Sequence, residues 1–305
     1  MSKLEKACPN KQSVKNSSRG RTEKFASARP PQIKRRKLFA GGLDATAFDP
    51  KDISGLRLWL RADNAIDTFV ADGDVTAWSD ESGQGHDCTI PDAANRPHWT
   101  ENVFGTKPGI KFDGTDDYLD TTGINTLFND GALNDYTVIL MVQPHAVATD
   151  KQAIFSQYLS SNWTGDANGN VLCMGIDADS KFTILGKNGS SDIAIGDTLS
   201  NDTSYILVAR NEYASTTQRN FLNGTKKSTV TDWERADGGI GTNANPKIGA
   251  MYTSSRGTVS TSNEAEFTLG ELIVYNSALS EQNLKHVQNY LLNKYGGKMP
   301  TPRLN

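Results

Sequence analysis

Three cysteines in 305 residues, Cys8, Cys88 and Cys173, are too few and too widely spaced for a disulfide framework or a metal-ligand set. Long apolar runs are missing: none reaches the roughly 18 residues that span a bilayer, so no membrane partner is expected. The opening MSKLEKACPNKQSVKNSSRG is positively charged with no apolar stretch behind it, and does not read as a secretory signal peptide. His86, His98, His145 and His286 stand far apart and form no zinc spacing, and His286 is expected to face solvent. Gly238-Gly239-Ile240-Gly241 lacks the Lys-Ser/Thr pair of a phosphate-binding loop.

What the chain does have is charge, unevenly placed. Residues 1–40 hold 12 Lys and Arg against Glu5 and Glu23, a net of +10. The other 265 residues therefore carry 20 basic and 33 acidic side chains, a net of −13. The basic stretch has no apolar periodicity, so it cannot bury enough surface to offset its ordering entropy and is expected to take shape only on a partner. Pro30 and Pro31 forbid a continuous helix there. Lys34, Arg35, Arg36 and Lys37, followed by Leu38 and Phe39, form the candidate docking segment. The division expected is an arm over 1–40, a linker over 41–52, a folded domain over 53–297 and a tail over 298–305.

From Ile53 onward the texture is short β-prone runs broken by Gly, Asn, Asp and Pro: 56–60, 136–142, 152–158, 171–176, 181–185, 205–210, 219–222 and 267–275. This pattern predicts an all-β sandwich or barrel, and no long helical period separates the strands. In 271–275, Leu272 and Val274 face one way while Ile273 and Tyr275 face the other, so this strand must be covered on both sides. The predicted cover is a helix after it. Ser280 is its N-cap, Leu279 and Leu284 form a hydrophobic staple, and Leu284, Val287, Tyr290 and Leu291 mark its apolar face. Gly296 and Gly297 end it where a positive φ is wanted. Asn223-Gly224 predicts a two-residue hairpin, Asp113-Gly114 has the same chemistry, and 186–204 reads as surface loops.

LRLWLRAD (56–63), VTAWSDESGQGHD (75–87), RP (96–97) and KPGIKFDGTDDYLD (107–120) are followed by FLNG (221–224) and FTLGELIVYNSALSEQNLKHVQNYLLNKYGG (267–297). That order resembles the bacterial and phage branch of the concanavalin A-like lectin/glucanase superfamily, the laminin G-like jelly rolls, over about 245 residues. The resemblance implies an all-β fold: a two-sheet antiparallel jelly-roll sandwich with one short C-terminal helix, behind the extended basic arm. It does not choose a function, since the family includes carbohydrate-binding modules, adhesins, virion appendages and glycoside hydrolases. Its hydrolase branch carries Glu-x-Asp-x-x-Glu on one strand, aiming acid and base at one glycosidic bond. This sequence has no such pattern, only Glu264-x-Glu266 and Glu234-x-x-Asp237, so no enzyme is expected.

Flat aromatic faces grip the C–H side of sugars, and Trp163 and then Trp233, both in polar loops, are the candidate carbohydrate contacts. Trp59 and Trp78 are read as core. Among Asp113, Asp116, Asp117 and Asp120, the pair Asp116 and Asp117 is the candidate calcium site, calcium being the one cofactor considered. The preferred alternative is that Asp113 and Gly114 shape a turn while Asp117 tethers a neighbouring loop, because one short turn rarely supplies the roughly six to eight oxygens calcium takes.

A lectin-type sandwich without an export signal fits a virion protein, made in the host cytoplasm and released by lysis. There the arm would dock on other virion proteins, capsid or tail, and the acidic sandwich would face outward toward host-surface glycans. The alternative is a free carbohydrate-binding or adhesion module, extracellular by an unrecognised export route. Nucleic acid is disfavoured as a partner because the acidic domain would repel the phosphates that the arm attracts.

Overall fold

The alternating and doubly apolar runs become strands wherever one or both faces find cover, and they arrange as two stacked sheets. A computed structural model describes residues 48–64, 68–69, 73–90, 92–124, 127, 135–146, 152–157, 172–185, 193–231, 245–251, 259 and 264–296. Spatial contacts divide the chain into Met1–Ala45 and Thr46–Asn305, and all described residues belong to the second unit. The strands are β1 Leu56–Arg61, β2 Thr68–Phe69, β3 Val75–Trp78, β4 Cys88–Thr89, β5 His98–Phe104, β6 Lys107–Asp113, β7 Leu119–Asp120, β8 Tyr136–Ala146, β9 Gln152–Gln157, β10 Leu172–Ile176, β11 Lys181–Leu185, β12 Ile193–Thr198, β13 Tyr205–Glu212, β14 Thr217–Leu222, β15 Thr225–Val230, β16 Lys247–Ile248 and β17 Glu266–Tyr275. One α-helix, α1 Glu281–Tyr295, follows. The first sheet runs β15-β14-β13-β8-β17-β6-β5, with β1 also on β17, and the second runs β12-β11-β10-β9-β16-β7-β4-β3-β2. The result is the expected all-β, two-sheet antiparallel sandwich with a short C-terminal helix, the single α-helix among the described residues.

β17 shows why there are two cores. Leu272 and Val274 point between the sheets, where they join Trp78, Phe155 and Phe267. Phe112 and Phe267 stack there with centroids 4.5 Å apart. Ile273 and Tyr275 point outward into a second cluster with Trp59, Leu284, Val287 and Leu291. The helix is thus the cover that the sequence pattern requires. Ser280 Oγ accepts from the backbone N–H of Asn283 (3.2 Å), and Leu279 and Leu284 are both buried at its start. Burying each of Leu284, Val287 and Leu291 stabilises the docked helix by about 1.5–3 kcal/mol relative to exposure.

Gly296 is the helix C-cap, with φ −63° and ψ 0°, and Gly297 lies outside the described residues. Two local expectations change. Residues 186–204, read as loops, contain β12, which pairs with β11 as an outer strand of the second sheet. The Gly, Ser, Asn and Asp turn residues on either side hid its short Ile193-Ala194-Ile195 run. Asp113-Gly114 is not a hairpin: β6 and β7 on either side of it belong to different sheets, and Gly114 (φ 74°) turns the corner where a Cβ would meet the Glu266 backbone at 2.9 Å. Asn223-Gly224 does make the two-residue hairpin, with φ 49° and 80° between β14 and β15.

Residues 48–52, assigned above to the linker, lie against the sandwich. Pro50–Asp52 form one 3₁₀ turn capped by Asp49, and Tyr275 Oη donates to the Pro50 carbonyl at 2.9 Å.

Candidate functional site

One edge of β17 is shared by two strands. β6 pairs with its first half (Asp113 to Ile110 against Glu266 to Leu269) and β1 with its second (Arg61 to Leu56 against Glu271 to Tyr275). They meet at Gly270, whose carbonyl accepts from Ala62 N–H at 3.0 Å. Glycine is needed at this fork, because the Phe104 ring lies where a Cβ on Gly109 or Gly270 would stand, at 2.8 and 3.0 Å.

Glu271 is the first residue past the fork and is fully buried. Its carboxylate accepts from Trp59 Nε1 at 2.9 Å, Tyr290 Oη at 3.0 Å and Tyr295 Oη at 3.0 Å, and it pairs with the Lys294 ammonium. Burial, then the Glu271 charge, pushes the Tyr290 and Tyr295 phenols well above their ordinary range, so they remain donors. Lys294 also reaches Asp63 at 2.7 Å, which Arg61 approaches at 3.3 Å and Lys107 at 3.5 Å. Burial opposes ionisation of Asp63, but the Lys294 hydrogen bond and charge, with Arg61, hold its carboxyl below the usual range. The Arg61 guanidinium lies 4.9 Å from the centre of the Trp59 ring.

Above this network is a cleft of about 640 Å3, between the 48–50 segment, Arg61–Asp63 and the His286–Lys294 side of α1. Phe48 packs edge-on against His286 (5.7 Å) and Tyr290 (6.2 Å) at its mouth, and Asn289 and Asn293 stand exposed along its helical wall. The signal for this site was present in the sequence. Glu271, Tyr275, Lys294 and Tyr295 all lie in the 267–297 segment that carries the family resemblance, but nothing in their spacing says that α1 folds its end back over β17.

A second candidate lies at the β6–β7 corner. Asp113, Asp116 and Asp117 bring one carboxylate oxygen each within 4.8 Å of one another. Asp120 instead pairs with Lys247. Asp117 Oδ2 accepts from Asp113 N–H at 2.9 Å, and Asp113 Oδ1 accepts from Thr115 N–H at 2.8 Å. Asp117 therefore braces its own turn rather than a neighbouring loop. Its carboxyl is pushed up to about 7 by burial; the Asp113 N–H bond opposes this, and the charges of Asp113, Asp116 and Asp74 add to it. With one oxygen each, the three carboxylates would give three of the roughly six to eight oxygens that calcium takes, the rest coming from second carboxylate oxygens, carbonyls or water.

Trp163, Trp233 and the segment Lys34, Arg35, Arg36, Lys37, Leu38 and Phe39 lie outside the described residues. Trp59 and Trp78 are buried, as read, and His286 is exposed. One arrangement that no sequence spacing suggested joins Asp202, His145 and Thr268, with Oδ1–Nδ1 at 2.7 Å and Nε2–Oγ1 at 2.6 Å. It has the order of a nucleophile triad, but Thr268 is only 1% exposed, so its hydroxyl meets no substrate. The contact ties the 199–204 turn to β17.

No protein-family model matches the chain, and no curated protein does. Solved structures do match in shape. Trypanosoma rangeli sialidase in complex with sialic acid aligns at 12% identity and TM-score 0.54, over 81% of this chain and 34% of that one. The binding domain of Paraclostridial Mosquitocidal Protein 1 aligns at 12% and 0.54, over 80% and 54%. A botulinum neurotoxin type C structure, concerning cell entry through two ganglioside molecules, aligns at 13% and 0.50, over 79% and 52%. The chain spans about a third of the sialidase and about half of each toxin structure. At these identities the likeness is one of fold, and it places the chain among β-sandwich domains.

Proposed function

We propose that this chain is a non-catalytic attachment protein: a concanavalin A-like jelly roll that recognises glycans and joins a virion, capsid or tail, through its basic N-terminal arm. The observation that carries the binding half is the state of the carboxylates under the cleft. Glu271 is saturated by three neutral donors and an ammonium, and Asp63 by three cations. Neither is free to serve in the acid–base pair that most glycoside hydrolysis uses. What the cleft offers to solvent is ring and amide surface, which holds a sugar by stacking and hydroxyl contacts. The toxin structures support this reading, one being a binding domain and the other concerning ganglioside interaction. The virion half rests on charge, since +10 on residues 1–40 beside −13 on the remainder separates a docking surface from a soluble one. Trp163 and Trp233 are kept as loop contacts to the same ligands.

The test is the full chain on an array of host-surface polysaccharides, followed by a reducing-end assay on every ligand retained. Binding without released reducing ends is expected, with retention weakened by Trp163→Ala. Turnover abolished by changing one carboxylate, or an array with no retained glycan, would overturn the reading.

A further inference from the structure

The fork of the first sheet leaves a second depression beside the cleft. It measures about 440 Å3 and lies over the β5–β6 turn, against Trp99, Glu101, Asn102, Thr106 and Pro108. Asp63 and Lys107 line both spaces, so the two adjoin across that ion pair. We propose that they form one open-ended groove that takes an internal stretch of a linear, uncharged polysaccharide, not a terminal sugar. This rests on glycan recognition at the cleft, as proposed above.

Three features carry it. Each end has a half-buried ring, Tyr290 with Phe48 at one and Trp99 at the other, and Trp99 is held in place by its Nε1–H bond to the Ala62 carbonyl at 3.0 Å. Rings separated by a polar middle suit successive sugar units that stack, bridge and stack again. The lining is electrically neutral, with Arg61, Lys107 and Lys294 against Asp49, Asp63 and Glu101, three of each sign. The central charges are spent on one another, and the exposed groups left for a ligand include Asn289 and Asn293 at one end and Asn102 and Thr106 at the other. Hydroxyls match such groups, whereas an anionic ligand would have to break the internal pairs and meet the exposed Glu101 carboxylate as well. Finally, among the described residues both ends carry exposed side chains, and Asn102 sits at φ 58° in the bulged part of β5, where Thr100 pairs with Gly109 and Phe104 with Lys107. A chain bound along the groove would extend past the rings at each end.

The experiment is calorimetric titration of the full chain with cello-, laminari-, manno- and chito-oligosaccharides of two to six units. In one series, affinity should climb from disaccharide to hexaose. Asn289→Ala/Asn293→Ala and, separately, Asn102→Gly/Thr106→Ala should each cost the hexaose roughly tenfold, as expected for losing one or two neutral hydrogen bonds. All four side chains are exposed, and Gly suits the positive φ at 102, so folding should be unaffected. Full affinity already at the disaccharide, loss on altering one end only, or binding confined to anionic saccharides would overturn the groove while leaving glycan binding intact. Failure of every saccharide, on the array and in titration, would overturn both.

Discussion

Glu271 and Asp117 are buried carboxylates with opposite solutions to the same cost. Glu271 is surrounded by donors and a cation, which offsets the desolvation of its charge. Asp117 has one backbone N–H and the charges of Asp113, Asp116 and Asp74 near it, so burial, with their repulsion, pushes its carboxyl up to about 7. A carboxyl whose folded pKa is raised adds stability that is complete below its unfolded value near 3.8 and is lost as pH rises through about 7. His86 works in the other direction: burial, with Arg57, lowers its pKa, so its contribution fades as pH falls. The difference between wild type and Asp117→Asn isolates the first effect. Urea unfolding between pH 5 and 8 should show wild type losing stability relative to the variant as pH rises, and parallel curves would mean that Asp117 titrates like an exposed carboxylate.

At the scale of elements, α1 and the 48–52 segment act as one cover over the outer face of β17. The helix contributes Leu284, Val287 and Leu291, and the segment contributes Phe48 and the carbonyl that receives Tyr275 Oη. Removing Pro50 would leave that buried phenol without its acceptor, a loss of about 1–3 kcal/mol. A chain beginning at Thr46 should therefore melt with the full-length protein, whereas one beginning at Ile53 should melt lower by on the order of 5 °C. Scanning calorimetry on both decides it. Equal melting temperatures would make the segment a passive linker, and a drop already at Thr46 would show that residues 1–45 also stabilise the sandwich.

For the whole molecule, the question is what divides a basic segment from an acidic domain. If the first 40 residues dock on an acidic or groove-shaped virion protein, ordering entropy is charged against those contacts, and extended segments can add to exposed sheet edges. Deleting residues 1–40 should abolish incorporation into particles and leave a folded sandwich. Raising salt should weaken attachment, less steeply if Leu38 and Phe39 insert. Mass spectrometry of particles from a complemented deletion strain reads the copy number. Truncated protein at wild-type abundance would move attachment to the sandwich and make nucleic acid the next partner to test for the arm.

Local sequence determined a good deal here. Alternation along 271–275 required two covers, Ser280 and the Leu279/Leu284 staple placed the helix start, and Asn223-Gly224 set its hairpin, because each depends on groups within a few residues. The β12 strand was not legible, because turn residues crowd both sides of its short Ile193-Ala194-Ile195 run. Nor was the meaning of Asp113-Gly114, since the same turn chemistry serves a hairpin or a corner between sheets. The cleft depended wholly on tertiary structure. Trp59, Asp63, Glu271 and Lys294 come from three separate stretches, and only the forked pairing of β1 and β6 on β17, with α1 folded back above it, brings a buried carboxylate to its donors. Burial and pairing of charges are properties of that assembly, because desolvation exists only once the surrounding chain has closed over the group.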